Sequence, residues 1–87
     1  MIKALTSAQI RAARALIRWS AAKLAREANL GLATIRRAEV ADSGTSMTVA
    51  NDLAVRRALE AAGVAFIDED AGFGPGVRLR KPHRKSG

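Results

Sequence analysis

Residues 20–40 read SAAKLAREANLGLATIRRAEV, and the fold turns on this stretch. Ser20 is a good helix N-cap, because its hydroxyl can accept from an unpaired N–H of the first turn. Behind it Leu24, Ala25 and Ala28 fall on one face at about 100° per residue, as in a short helix with one buried side. Asn29-Leu30-Gly31 breaks the pattern. Asn and Gly both tolerate left-handed backbone, so a tight turn is expected there. From Leu32 a second periodic run places Ile35 and Ala38 inward and Leu32, Ala33, Arg36 and Arg37 outward. The small side chain of Ala25 lets the two helices approach closely, with Leu24, Leu30 and Ile35 filling the space between them.

Outward from this pair, the chain stays helical on both sides. Thr6 followed by Gln9 is a capping-box pattern, and it opens a helix of about Ser7 to Arg18 with Ile10, Ala13, Leu16, Ile17 and Trp19 at helical spacing. Asp42 to Ser46, small and polar with Gly44, reads as a loop. A further helix of about Thr48 to Ala62 is expected to bury Val49, Leu53, Val55 and Leu59 and to end at Gly63, with Val64 behind it. Then the period changes. Val64 to Ile67 and Val77 to Leu79 are β-prone runs separated by acidic residues and a glycine-rich turn, which predicts a β-hairpin. Two strands alone are marginal in water, so the hairpin has to lean on the helices or pair with a second chain. The expected fold is mainly α: a bundle of four to five helices with a short C-terminal β-hairpin. Residues 1–63 form the helical domain, residues 64–79 a hairpin that is a candidate dimerisation element, and residues 80–87 a disordered basic tail. Two short helices joined by a three-residue turn, the second with a polar and basic outer face, make residues 20–40 a helix-turn-helix unit.

With 87 residues the chain has room for one small domain, which argues against an enzyme with an enclosed pocket. There is no Cys, hence no disulfide framework and no thiolate metal site. No apolar run approaches the roughly 20 residues that span a bilayer, and the first residues lack a signal peptide's apolar stretch, so a cytoplasmic protein without membrane contact is expected. The formal net charge is +7, with +4 in residues 1–19, +2 in 20–40, −4 in 41–70 and +5 in 71–87. A basic N-terminal half is the usual footprint of a phosphate-binding surface.

The run Arg11-Ala12-Ala13-Arg14-Ala15-Leu16, then Trp19-Ser20, Leu24-Ala25, Ala28 and Ala33-Thr34-Ile35-Arg36-Arg37-Ala38-Glu39, resembles the lambda-repressor-like, or xenobiotic-response-element, regulators. Residues 57–67 and 74–80 also look like the carboxyl end of many short bacterial members. The resemblance implies a DNA-binding repressor or activator without cofactor. Its base-reading positions fall on Leu32, Ala33 and Arg37 with Arg36 beside them, and its phosphate-anchoring positions on Ser20 and Ala21. It also implies an ion pair between Arg14 and Glu39. Arg11, Arg14 and Arg18 are candidates for flanking phosphates. Family members that read DNA commonly carry Gln where this chain has Ala21 and polar residues where it has Leu32 and Ala33. Apolar side chains can touch a thymine methyl but cannot hydrogen-bond a base edge, so readout would rest on Arg36 and Arg37. An outward Leu32 beside Arg36 would equally suit a protein partner. The QseM-like antiactivators, short helix-turn-helix proteins of mobile elements, act by binding transcription activators, and they define the alternative function: an antiactivator that binds an activator protein through the helix-turn-helix surface with little or no specific DNA binding.

The remaining candidates read as structural. Trp19 continues the apolar face of its helix and is expected in the core. His83 has no second ligand for a metal. Asp68, Glu69 and Asp70 are expected to form a solvated turn, and Gly72, Gly74 and Gly76 to serve as turn residues, since no Lys-Ser/Thr follows them as in a phosphate loop. Arg78, Arg80, Lys81, Arg84 and Lys85 suit nonspecific phosphate contact or simple solubilisation.

Overall fold

The structure, a computed structural model, describes residues 3–41 and 44–80. Its helices are α1 (Ser7–Ile17), α2 (Ala21–Ala28), α3 (Leu32–Val40) and α4 (Val49–Ala61), followed by strands β1 (Val64–Ile67) and β2 (Gly76–Leu79). The strands pair antiparallel, with Val64 opposite Leu79 and Ile67 opposite Gly76. A mainly helical chain ending in a hairpin was expected, and among the described residues there are four helices rather than five. None of them is long and apolar enough to cross a membrane. The expected disordered tail, apart from Arg80, lies outside the described residues, as do Lys81, His83, Arg84 and Lys85.

Local chemistry sets the helix ends. The Thr6 hydroxyl accepts from the Gln9 N–H at 3.1 Å, and the Gln9 amide oxygen accepts from the Thr6 N–H at 2.9 Å, so the capping box closes as expected. Ser20 and Thr48 cap α2 and α4 by accepting from the Lys23 and Asn51 N–H groups at 2.9 and 3.1 Å. The C-caps of α1 and α2 are left-handed, Arg18 at φ 58° and Asn29 at φ 60°. Gly31, in contrast, is extended at φ −73° and serves as the N-cap of α3, so the turn uses the freedom of Asn29 alone.

One core gathers Leu5 from the N-terminal arm, Ile10 and Ala13 of α1, Leu24 of α2, Ile35 of α3, Val55 and Leu59 of α4 and Val64 of β1. Burying each large aliphatic side chain contributes roughly 1.5 to 3 kcal/mol, enough for a small domain to close around it. Three expectations for the apolar pattern change. Val49 is 77% exposed, because it is the first residue of α4 and lies about 120° around the helix from Val55. Leu53 is only half-buried. Leu32 does not stand outward: about 60° from Ile35 on the helix, it is half-buried against the core.

The hairpin leans on the helices, one of the two arrangements open to it. Phe66 and Val77 pack against the core, and the Gln9 carboxamide donates to the carbonyls of Ile67 at 3.3 Å and Gly76 at 3.0 Å. The Arg56 guanidinium lies 5.1 Å from the centre of the Phe66 ring and donates to the Lys3 carbonyl at 2.8 Å, tying α4 to the hairpin and the arm. At the tip, Asp70 and Phe73 exchange both backbone hydrogen bonds around Gly72, whose φ of 89° few other residues would accept.

Candidate functional site

The outer face of α3 brings together three of the expected site residues, Ala33, Arg36 and Arg37, with Arg11 of α1 beside them. Relative to buried Ile35, Ala33, Arg37 and Val40 point to the far side of the helix and Arg36 to its flank. All four are exposed, and Val40 is 77% so. Arg36, Arg37 and Val40 border one shallow depression with Arg11 of α1. On the other side Arg37 and Val40, with Thr34, line a second depression that reaches Thr48 and Asn51 at the start of α4. The face therefore combines guanidinium groups with a small apolar patch, and the cap of α2 at Ser20 is also exposed. Of the other expected contacts, Ala21 and Leu32 are half-buried against the core and can offer only an edge.

The orientation of α3 is held by Arg14. Its Nε donates to one Glu39 carboxylate oxygen at 2.6 Å and a terminal nitrogen donates to the other at 2.9 Å, the bidentate geometry that suits a guanidinium and a carboxylate. The remaining terminal nitrogen donates to the Trp19 carbonyl at 2.8 Å, just before the cap of α2. One side chain thus joins α1, the linker to α2, and α3. The hydrogen bond to Glu39 raises the Arg14 pKa; burial opposes this and the charge of Glu39 adds to it. Arg14 was expected both in an ion pair and at phosphate. Only 23% exposed, its side chain is committed to the pair, and flanking phosphates are left to Arg11 and Arg18, both exposed.

Further polar contacts reinforce the α1–α3 joint. The buried Ser7 hydroxyl donates to the carbonyls of Ala38 and, at 3.0 Å, Gly44, while Arg11 donates to the Glu39 carbonyl. The bonds to Ala38 and Glu39 reach carbonyls left unpaired at the end of α3. Buried Asp52 likewise accepts from the Leu5 N–H at 3.0 Å and anchors the arm. Sequence reading missed Ser7, Gln9 and Asp52 in these roles, since their partners are backbone groups far along the chain. Val40 was missed although the same helical angle that places Ala33 outward also finds it.

Trp19 is half-buried against the core as expected, with the Lys23 ammonium 5.3 Å from its ring centre. Asp68, Glu69 and Asp70 are exposed, and the described residues contain no group of three potential ligands able to hold a metal ion. Compared with known protein families and with curated proteins, the chain matches no family model and no curated relative.

Proposed function

We propose that this chain is a transcription regulator of the lambda-repressor-like helix-turn-helix type that binds duplex DNA by laying α3 in the major groove. The observation that carries the reading is the uncovered outer face of α3, where Ala33, Arg36, Arg37 and Val40 stand exposed on a helix clamped to α1 through Arg14 and Glu39. A rigid helix with two outward guanidinium groups suits guanine O6 and N7, and the methyl groups of Ala33 and Val40 suit thymine. Arg11 supplies positive charge beside it, Arg18 is a further exposed cation at the end of α1, and the capped, exposed start of α2 at Ser20 suits a phosphate. The reading involves neither cofactor nor catalytic chemistry.

The alternative, an antiactivator that binds a transcription activator through this surface, draws on a different observation. Val40 and Val49 are both 77% exposed, at the end of α3 and the start of α4, and Val40 lines the depression that reaches Thr48 and Asn51. These valines, rather than half-buried Leu32, are the apolar anchors available to a protein.

Amide-shift mapping with a mixed-sequence duplex at several salt concentrations, then with candidate activator proteins, tests the two readings. DNA binding predicts salt-sensitive shifts over residues 33–40 and at the start of α2. Absence of shifts at every salt concentration, with saturable shifts at Val40 and Val49 on adding an activator, replaces the first reading by the second.

A further inference from the structure

The free edge of β2 points to a second copy of this chain as its partner. Arg80 N–H donates to Gly63 O at 2.8 Å, just beyond the end of the ladder. Bonded and non-bonded pairs alternate in an antiparallel ladder, so Ala65–Arg78 and Ile67–Gly76 are bonded pairs. Val77 and Leu79 therefore turn their N–H and C=O groups away from β1. Among the described residues the sheet has only two strands, and none of those residues bonds these groups. An open strand edge of this kind is a template for another strand. Exposed large apolar side chains gather around it: Ile67, Phe73 and Leu79 belong to the hairpin. Leu16 is two helical turns from Gln9 and so shares the flank of α1 that faces the hairpin.

We infer that two copies pair β2 to β2 in antiparallel fashion about a twofold axis through Val77. Opposed side chains in a sheet share a face, so a twofold axis normal to the sheet has to pass through a residue, here Val77 or Arg78. Centring on Arg78 would set that cation against its own copy at the closest cross-strand spacing, which is unfavourable. Centring on Val77 lets each Val77 N–H donate to the other Val77 carbonyl and each Leu79 N–H to the other Pro75 carbonyl. It also accounts for two glycines that the single chain does not require. Gly74 and Gly76 have no left-handed φ; a Cβ at Gly74 would meet nothing within 4 Å, and one at Gly76 only Ile67 Cδ1 at 3.9 Å. In the Val77-centred register they face Arg80 and Arg78 of the other copy and leave room for both long side chains. The charges agree with this pairing. Each hairpin is acidic at its tip, with exposed Asp68, Glu69 and Asp70, and basic at its open end, with Arg78 and Arg80, and antiparallel pairing brings opposite ends together.

Sedimentation equilibrium of the full chain, with amide exchange at low and high protein concentration, tests the inference. A reversible dimer is expected, in which the Val77 and Leu79 amides gain protection as concentration rises. Gly76→Lys is expected to weaken it about tenfold, because the twofold axis duplicates each new repulsion between the introduced ammonium and Arg78. Adding Arg78→Glu should restore the dimer, since the introduced ammonium would then face a carboxylate. In the Arg78-centred register the same double variant leaves that ammonium facing Arg80 and gives no restoration. A chain that stays monomeric at all concentrations overturns the inference. So does a dimer that ignores Gly76→Lys, or one in which Val77 and Leu79 exchange at an unchanged rate.

Discussion

Removing one half of the Arg14–Glu39 pair leaves the other charge without its partner in a site where the carboxylate side chain is only 9% exposed. Glu39→Gln is therefore expected to cost about 3 kcal/mol in urea unfolding, toward the low end for a buried pair because Arg14 keeps some access to water. A loss below about 0.5 kcal/mol would show the pair to be solvated like an ordinary surface bridge. Acid–base chemistry of Arg14 does not modulate this contribution at ordinary pH. Its folded pKa is raised, so the stabilisation it brings is complete below the unfolded arginine value and lost only as pH rises through the folded one. Arg37 is the opposite case, exposed and outside every ion pair in the described residues. If α3 reads DNA, Arg37→Ala should leave the unfolding midpoint unchanged, cost about 1 to 3 kcal/mol in binding and relax sequence preference. Equal weakening for every duplex would assign Arg37 to phosphate instead.

Among the elements, α1 packs on both α3 and the hairpin, and Gln9 shows why part of its role was hidden. Its carboxamide oxygen closes the capping box while its nitrogen holds the hairpin. Gln9→Glu separates the two. The oxygen acceptor survives, but a carboxylate faces the Ile67 and Gly76 carbonyls. That repulsion raises the carboxyl pKa in the folded state, so stability should fall as pH rises through the carboxylate range and recover in acid. Urea midpoints of Gln9→Glu and the parent chain at acid and neutral pH check this; parallel curves would mean that the nitrogen contacts contribute nothing. The starts of α1 and α2 were legible because a cap needs only residues within one turn: Thr6 with Gln9, and Ser20. The inward faces of α2 and α3 followed from periodicity, and so did most of the exposed α3 surface. Leu32 and Val49 escaped because each opens its helix, where the apolar pattern has no earlier turn to define the face. The long-range polar contacts of Ser7, Gln9 and Asp52 escaped for another reason, since no local pattern records which distant carbonyl or N–H a side chain will meet.

For the whole molecule, the +7 charge is unevenly used. Arg14, Lys23 and Arg56 are engaged with carboxylates or backbone inside the chain; Arg11, which also donates to the Glu39 carbonyl, and Arg18 remain exposed. If both touch phosphate, Arg18→Ala should weaken all duplexes alike and lower the slope of log affinity against log salt by about 1, as read from titrations at several salt concentrations. An unchanged slope would place Arg18 off the DNA. Arg18 carries a further consequence through its backbone. It holds the left-handed conformation at the end of α1, where glycine fits without the penalty of roughly 1 kcal/mol that an L side chain incurs. A library of this chain selected only for heat resistance should accordingly enrich glycine at position 18. The proteins so recovered would outlast their parent and, if Arg18 touches phosphate as proposed, hold DNA less well, so that endurance and affinity trade against each other at a single residue.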